Sequence, residues 1–425
     1  MLSSRDEPEL DVRMPALVVK TSRNAVQHGT LGIARSLGRL AVPVYAIVED
    51  RFAPVTASHF LSGGFVAPAW PDGPIGWVAN LQEIGKRLGR PAVLIPTDDQ
   101  AAIWIAEFAD LLAKWFEFPP VPRELPRVLA NKKELYFLCR RLGVPCPDTA
   151  FPNCLEEVRD FIRHAIFPVA FKEAENGSGK KRVRSVQIME TAEDLLSEFL
   201  RRQELSAPNL ILQEYIPRAC AEDWIYHGYL NPKTGCLIGF TGKKLRSYPP
   251  FAGSTTLGVS VSNEDLRQEA EQLLRTISYA GIVDLDYRYD RRDGRYKLLD
   301  FNPRVGANFR MFEDGAGMDV VRALHLDLTG RKVHQRHPSP SRTFLVEPYD
   351  LFATVTYLRR GGLTFSRWCQ TLRGRIEPAW FSWDDPLPFA GMCLRLLLRA
   401  ASRIGLLWAK TPPPAAAPTH TRRRG

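Results

Sequence analysis

Cysteine is scarce and scattered: seven residues, at positions 139, 146, 154, 220, 236, 369 and 393, with no C-x-x-C pair among them. That excludes a disulfide framework and a zinc ribbon, and it fits a reducing cytoplasm. The start, MLSSRDEPEL, has acids where a secretory leader needs basic residues and then an apolar run, so no leader is expected. A charge-free apolar run is also missing. Phe389 to Trp408 comes nearest, but Arg395, Arg399 and Arg403 interrupt it, which argues against a spanning helix. There is no internal repeat, and no Ser/His/Asp or Cys/His arrangement that calls for a nucleophilic side chain. What remains is a chain of 425 residues that is 45% hydrophobic, 24% charged and 10% aromatic. This profile buries real cores, and the length suits two or three domains.

Acidic residues run short only near the end. Lys and Arg total 57 against 47 Asp and Glu, but 16 of the basic and only 5 of the acidic residues lie from Arg331 onward. The first 330 residues are therefore near neutrality, with a net charge of −1. A neutral body with a basic end argues against nucleic-acid binding over the whole surface.

Residues 15–118 alternate short apolar strands (PALVVK, VPVYAIVED, PAVLIPTDDQ) with helical stretches such as HGTLGIARSLGRL, where Ile33, Leu37 and Leu40 share a face. Such alternation predicts a parallel sheet covered on both sides, with ligands at the carboxyl ends of its strands. Those ends are Ser22–Gly29, Glu49–Asp50 and Thr97–Asp99. The Pro-rich stretch 116–129 marks a boundary, followed by the helix NKKELYFLCRRLG closed by Gly143. Beyond it, PVAFKEA, NLILQEYIP, WIYHGYLN, GCLIGFTGKKL, AGIVDLDYRYD and YKLLDFNPR read as strands, the last two joined by a tight turn at DGR. This middle region is α+β with antiparallel pairs. From about 336 the chain is rich in Pro, Trp and Arg, and its last fifteen residues, TPPPAAAPTHTRRRG, are expected to be disordered.

Three stretches carry chemistry. In FKEAENGSGKKRV a strand ending in Lys172 enters a loop with Gly177, Ser178 and Gly179, where small residues let backbone N–H groups approach phosphate oxygens. In GIVDLDYRYD…YKLLDFNPRVG, Asp284 and Asp286 alternate onto one face of a strand, and Asp300, Asn302 and Arg304 onto one face of the next. Paired antiparallel, Asp286, Asp300 and Asn302 form an all-oxygen cluster suited to Mg²⁺ held with phosphates. Their apolar neighbours Leu298, Leu299 and Phe301 make a solvated hairpin the poorer explanation. In LILQEYIP…AEDWIYHGY, an apolar strand end offers backbone groups to a purine edge, with Glu222 or Asp223 placed to accept from ribose hydroxyls.

In this order the three stretches resemble the ATP-grasp superfamily, and within it the carboxylate–amine ligase-like proteins. NKKELYFLCRRLGVPCPDT, PVAFKEAENGSGKKRV, LILQEYIP, GFTGKKLRSYPPFAGSTTLG and LLDFNPRVG carry the resemblance, which covers roughly residues 15–330. It implies a Rossmann-like N-terminal domain (1–125) and a two-subdomain clamp around ATP (126–335), which composition follows with a small basic C-terminal region (336–425). It also implies Mg²⁺ (or Mn²⁺), ATP, and small-molecule carboxylate and amine substrates joined through an acyl phosphate. Residue by residue, Lys132 or Lys133 matches the first phosphate-contacting lysine, Lys172 the second, and Gly177–Gly179 the flap. Gln213, Glu214 and Ile216 match the adenine hinge, and Glu222 or Asp223 the ribose contact. Asp286, Asp300 and Asn302 match the metal ligands, while Arg304, joined by Lys243, matches the groups that steady the transferred phosphoryl group. Asp286 and Asp300 stand where Glu is usual, so the shorter carboxylates put metal spacing in question. A nucleotide-binding scaffold without turnover and a kinase releasing a phosphorylated product are the alternatives.

Other candidates have plainer readings. His334 and His337 sit in a basic Pro-rich loop. His28 opens a helix, which reads as a simple helix-entry role, with contact to an anionic substrate through the helix N–H groups as the alternative. Trp368, Trp380 and Trp383 read as core or docking residues. Arg395, Arg399 and Arg403 form a basic row on an otherwise leucine-rich helix, which reads as a terminal helix packed on its own domain with solvated arginines or, for residues 390–425, as peripheral contact with anionic lipid on the inner face of the membrane.

Overall fold

A computed structural model describes residues 8–24, 27–67, 73–173, 187–203, 210–249, 253–334, 336, 337, 339 and 341–408. Among them the chain forms three sheets. The first is parallel throughout, in the order β3-β2-β1-β4-β5: β1 (Ala16–Val19), β2 (Val44–Val48), β3 (Gly63–Val66), β4 (Ala92–Pro96) and β5 (Phe116–Glu117). Helices α1 (Gly29–Gly38), α2 (Gly73–Leu88), α3 (Asp99–Glu107) and α4 (Ala109–Leu112) connect or flank these strands. The strands are apolar at successive positions because both faces are covered. Val18, Ala46 and Ile95 pack with Ile33 and Leu37 of α1, while Leu17, Ile47 and Leu94 pack with Trp77 and Leu81 of α2.

α5 (Leu125–Ala130) and α6 (Lys132–Leu142) lead onward. Asn131 caps α6 by accepting from the Lys133 and Glu134 N–H groups at 3.0 and 3.2 Å, and Gly143 ends it in the left-handed region, φ +69°. The second sheet is antiparallel, order β6-β9-β7-β8: β6 (Thr149–Ala150), β7 (Val169–Glu173), β8 (Gln187–Met189) and β9 (Leu210–Glu214). α7 (Leu155–Ile162) and α8 (Ala192–Gln203) cover one face, burying Val158, Phe171, Leu195, Phe199 and Leu212 together.

The third sheet runs β14-β13-β10-β11-β12-β15-β16, from β10 (Ala221–Asn231), β11 (Gly235–Tyr248), β12 (Ser254–Ser260), β13 (Gly281–Asp290), β14 (Arg295–Asn302), β15 (Arg342–Leu345) and β16 (Arg375–Pro378). Its other helices are α9 (Glu264–Thr276), α10 (Val320–Leu328), α11 (Glu347–Arg359), α12 (Phe365–Thr371) and α13 (Leu387–Trp408). One face packs Trp224, Tyr226, Leu285, Leu298 and Phe301 against Leu266, Leu273 and Leu274 of α9 and Leu135 of α6. The other packs Ile225, Phe240 and Phe312 into the core shared with α1 and α10.

The basic C-terminal stretch is stitched to what precedes it. β15 and β16 extend the third sheet. The buried Arg35 of α1 bonds Asp385 at 2.9 Å and the Trp380 and Asp385 carbonyls at 2.8 Å, and Arg395 of α13 pairs with Asp50 at the end of β2. The Pro-rich tail lies outside the described residues.

Candidate active site

The register of the third sheet assembles the charged groups. Asp286 stands opposite Asp300, and Asp284 opposite Asn302 and His227. Pleating turns all five to one face, together with Asp223 and Lys244. Lys244 Nζ lies 2.6 Å from Asp286 Oδ1, and Lys132 Nζ at the start of α6 lies 3.5 Å from Asp300 Oδ2. Arg304 reaches Asn302 Oδ1 at 2.8 Å, Asp284 Oδ2 at 3.2 Å and Asp99 Oδ1 at 3.2 Å. Asp99 opens α3 at the carboxyl end of β4, so Arg304 spans the first and third sheets.

Electrostatics follow from this crowding. Burial pushes Asp286 above the ordinary carboxylate range, with Lys244 partly offsetting it. Burial opposes ionisation of Asp284 as well, but His227 and Arg304 outweigh it and hold its pKa at about 2. His227 is fully buried, with Nε2 2.8 Å from Asp284 Oδ1. A Cβ at Gly306 would come within 2.3 Å of His227 Nε2 and 2.5 Å of Asp284 Oδ2, so only glycine lets the loop after Arg304 close over this pair. Burial disfavours a charged Arg304, yet Asp284 and Asp99 raise its pKa above the usual value.

Across from this face, β7 and β9 present Lys172 and Gln213 on the side of the second sheet away from its core. Lys172 Nζ donates to Gln213 Oε1 at 2.6 Å, and Gln213 Nε2 donates to Thr149 Oγ1 at 3.1 Å. Burial, with repulsion from Lys132, brings the Lys172 ammonium down to a pKa of about 8. The Glu214 carboxylate is committed to Arg292 at 2.5 Å and Lys297 at 3.1 Å, so its side chain is already taken. Ile216 is buried and its carbonyl accepts from Arg288 at 3.3 Å.

Strand alternation separates the residue pairs that the sequence left open. Asp223 lies on the charged face, bonded by Arg288 Nε at 2.9 Å. Glu222 lies on the other face with Lys243 and Arg291, each 2.6 Å away, and Lys243 Nζ sits 4.5 Å from the Trp224 ring centre. Lys243 thus points away from Arg304, and its neighbour Lys244 takes the position among the carboxylates. Lys132 reaches Asp300, whereas Lys133 Nζ lies over the Phe151 ring at 5.6 Å. Gly177, Ser178 and Gly179 fall outside the described residues. His227 and Arg288 escaped the sequence reading, while Asp99 and Lys244 fell within stretches it marked without being given a role of their own. The register that sets Trp224 opposite Lys243 is what puts Lys244 on the face of Asp223, and nothing in the sequence joined Asp99 to Arg304.

Among the described residues, no three His, Cys, Asp or Glu side chains converge at metal-ligand spacing. The donor set of Asp286, Asp300 and Asn302 still fits a hard cation shared with phosphate oxygens, since it is all oxygen, and such a cation would take the place that Lys244 and Lys132 hold on the two carboxylates. Bound there, Mg²⁺ would supply charge neutralisation to a transferring phosphoryl group. At the first sheet, Asp98 gathers the Thr21 and Ser22 N–H groups at 2.8 Å and caps α3, shaping a loop beside Asp99. His28 sits against Phe344 and Trp380, and burial lowers its pKa to about 4.

No family model matches the chain. It is 24% identical over 308 residues to the D-aspartate ligase of Enterococcus faecium, covering 68% of this chain and 72% of that protein. Its fold resembles the biotin carboxylase domain of the Hydrogenobacter thermophilus 2-oxoglutarate carboxylase, solved with MgADP and bicarbonate: TM-score 0.56, 15% identity, 76% of this chain and 71% of that one. It also resembles N5-carboxyaminoimidazole ribonucleotide synthetase from Thermus thermophilus: TM-score 0.55, 14% identity, 77% and 81% coverage. These likenesses place the chain among proteins of the ATP-grasp fold.

Proposed function

We propose that this chain, a member of the ATP-grasp superfamily, is an ATP- and Mg²⁺-dependent ligase that joins an amino-acid carboxylate to an amine. The observation that carries the reading is the opposition of two charge sets. Lys172 and Lys132 are placed for phosphate oxygens, and Asp286, Asp300 and Asn302 for the cation that accompanies them. Arg304 stands between these groups and the strand ends of the first sheet. Phosphoryl transfer depends on positioning and charge neutralisation more than on a protein nucleophile, which suits this set. A substrate carboxylate oxygen attacks the γ-phosphorus and ADP leaves. The amine then attacks the acyl carbon, phosphate departs, and the amine proton passes to solvent or a base.

In this reading Lys172, Lys132, Gln213, Asp223 and the backbone of Glu214–Ile216 hold ATP, Arg304 and Lys244 steady the phosphoryl group, and the flap is Gly177–Gly179. The substrate side is the first sheet's rim near Asp99 and the start of α1. The relative ligates D-aspartate by its name, so an aspartate-like amino acid leads the substrates to try.

The test is ADP release with Mg²⁺-ATP against D- and L-aspartate and other small carboxylates, with and without amines, and with hydroxylamine as trap. Carboxylate-dependent ADP with a trapped hydroxamate is expected. A released phosphorylated product that needs no amine would make it a kinase. Tight ATP binding without turnover on any carboxylate would make it a scaffold.

The setting proposed is the cytoplasm, with residues 390–425 touching the inner face of the membrane. Among the described residues no helix is long and apolar enough to cross a membrane. α13 leaves Leu394, Leu397 and Leu398 exposed, which supports surface contact, although its Arg395 is taken by Asp50.

A further inference from the structure

We propose that the solvent side of α11 and α12 is a second docking surface, separate from residues 390–425, and that its partner is an anionic lipid membrane. α11 is apolar on two sides. Its inner side, with Ala353 and Tyr357, packs on β11 and β12. There Asp350 is locked by two bonds of 2.8 Å from Arg246 and one of 3.0 Å from Thr256 Oγ1. Its outer side shows Leu351, Phe352, Val355 and Leu358, which are 59%, 55%, 42% and 36% exposed. Their spacing is that of one helical stripe. Phe365 of α12 adds a ring that is 66% exposed. A helix on a water-facing surface normally turns polar residues outward, so among the described residues, where the Tyr248 ring approaches Phe352 at 6.3 Å, this stripe is left largely uncovered.

Charge around the stripe selects the partner. Residues 351–375 hold five arginines (359, 360, 367, 373 and 375) and no Asp or Glu. Arg375 is answered by Glu313 of a neighbouring loop at 2.8 Å, while Arg359, Arg367 and Arg373 stand exposed. A two-fold pair of this chain would set the same arginines against one another, which disfavours a second copy as occupant. An anionic bilayer suits both features. The leucine and phenylalanine tips enter the acyl boundary while guanidinium groups stay level with lipid phosphates.

The experiment is co-sedimentation of the full chain with phosphatidylcholine vesicles and with equimolar phosphatidylcholine–phosphatidylglycerol vesicles. It compares wild type, Leu351→Glu/Phe352→Glu, Arg359→Ala/Arg367→Ala, and a chain ending at residue 408. Wild type is expected on the anionic vesicles only, with binding that falls as salt rises. The glutamate pair should lose binding by at least about tenfold, and each arginine removed by about fivefold. The chain ending at 408 should keep binding that the α11 substitutions erase. Far-UV circular dichroism and ADP release in solution, unchanged in the substituted proteins, keep loss of fold or ligase activity distinguishable from loss of docking. Three results would overturn the proposal: no anionic-vesicle binding, binding indifferent to the α11 substitutions, or substitutions that instead abolish a dimer.

Discussion

The third sheet has two faces of the same strands, and they follow opposite rules. On one, Trp224, Tyr226, Leu285, Tyr287 and Phe301 fill a core with α9, and the charges present, Glu222 with Lys243 and Arg291, sit at its margin as ion pairs. On the other, Asp223, Lys244, Asp284, Asp286, Asp300, Asn302 and Arg304 crowd together with much of their charge removed from water. Marginal pairs are worth little, because solvent screens them and holding long side chains costs entropy. Crowded, buried charges are costly unless a ligand or partner uses them. The difference is the reason the proposed active site is put on the second face.

The largest expected break comes at Asp300. Asp300→Asn should fold normally by circular dichroism yet lower Mg²⁺-dependent ADP formation by on the order of 100-fold. Full activity would remove Asp300 from the metal set. Next is the buried prop behind Arg304. His227→Ala should cut kcat by roughly tenfold with the KM for ATP little changed, since His227 touches Asp284 rather than nucleotide. Partial recovery in His227→Gln would separate positioning from a general loss of packing.

Lys172 sharpens the comparison through pH. Its ammonium titrates near 8, so the free protein loses this cation as pH rises through that value. Bound phosphate favours the protonated form, and ATP affinity should therefore fall above pH 8. Lys172→Arg should flatten that slope, and Lys172→Ala should weaken binding by about tenfold at pH 7. A slope retained in the arginine variant would assign it to another group. The smallest effect is the control on the opposite face. Lys243→Ala should change kcat/KM by no more than about threefold, whereas Lys244→Ala should lower it by about tenfold or more. Equal losses would show that pleat parity does not decide the roles.

Much of this was legible in residue order. The parallel sheet followed from apolar strands alternating with helices. The end of α6 at Gly143, the turn at Gly294 and the facing of Asp286 with Asp300 followed from local chemistry and the two-residue strand period. Less legible was the choice between adjacent residues. Glu222 against Asp223 and Lys243 against Lys244 depend on which side of the sheet meets α9, and a run such as FTGKKL does not say. Lys132 over Lys133 likewise depends on where the start of α6 lies relative to β14.

By itself, then, the sequence determined the kinds of groups and their local order, because backbone periodicity and turn chemistry act over a few residues. Only the tertiary structure decided that Arg304 bonds Asp99 from a distant strand end, that His227 backs Asp284, and that Arg35 and Asp385 tie the C-terminal stretch to α1. The physical reason is that such contacts join residues far apart in the chain. Their existence depends on how three sheets pack, and burial at those junctions is what fixes the strength and protonation of the charges.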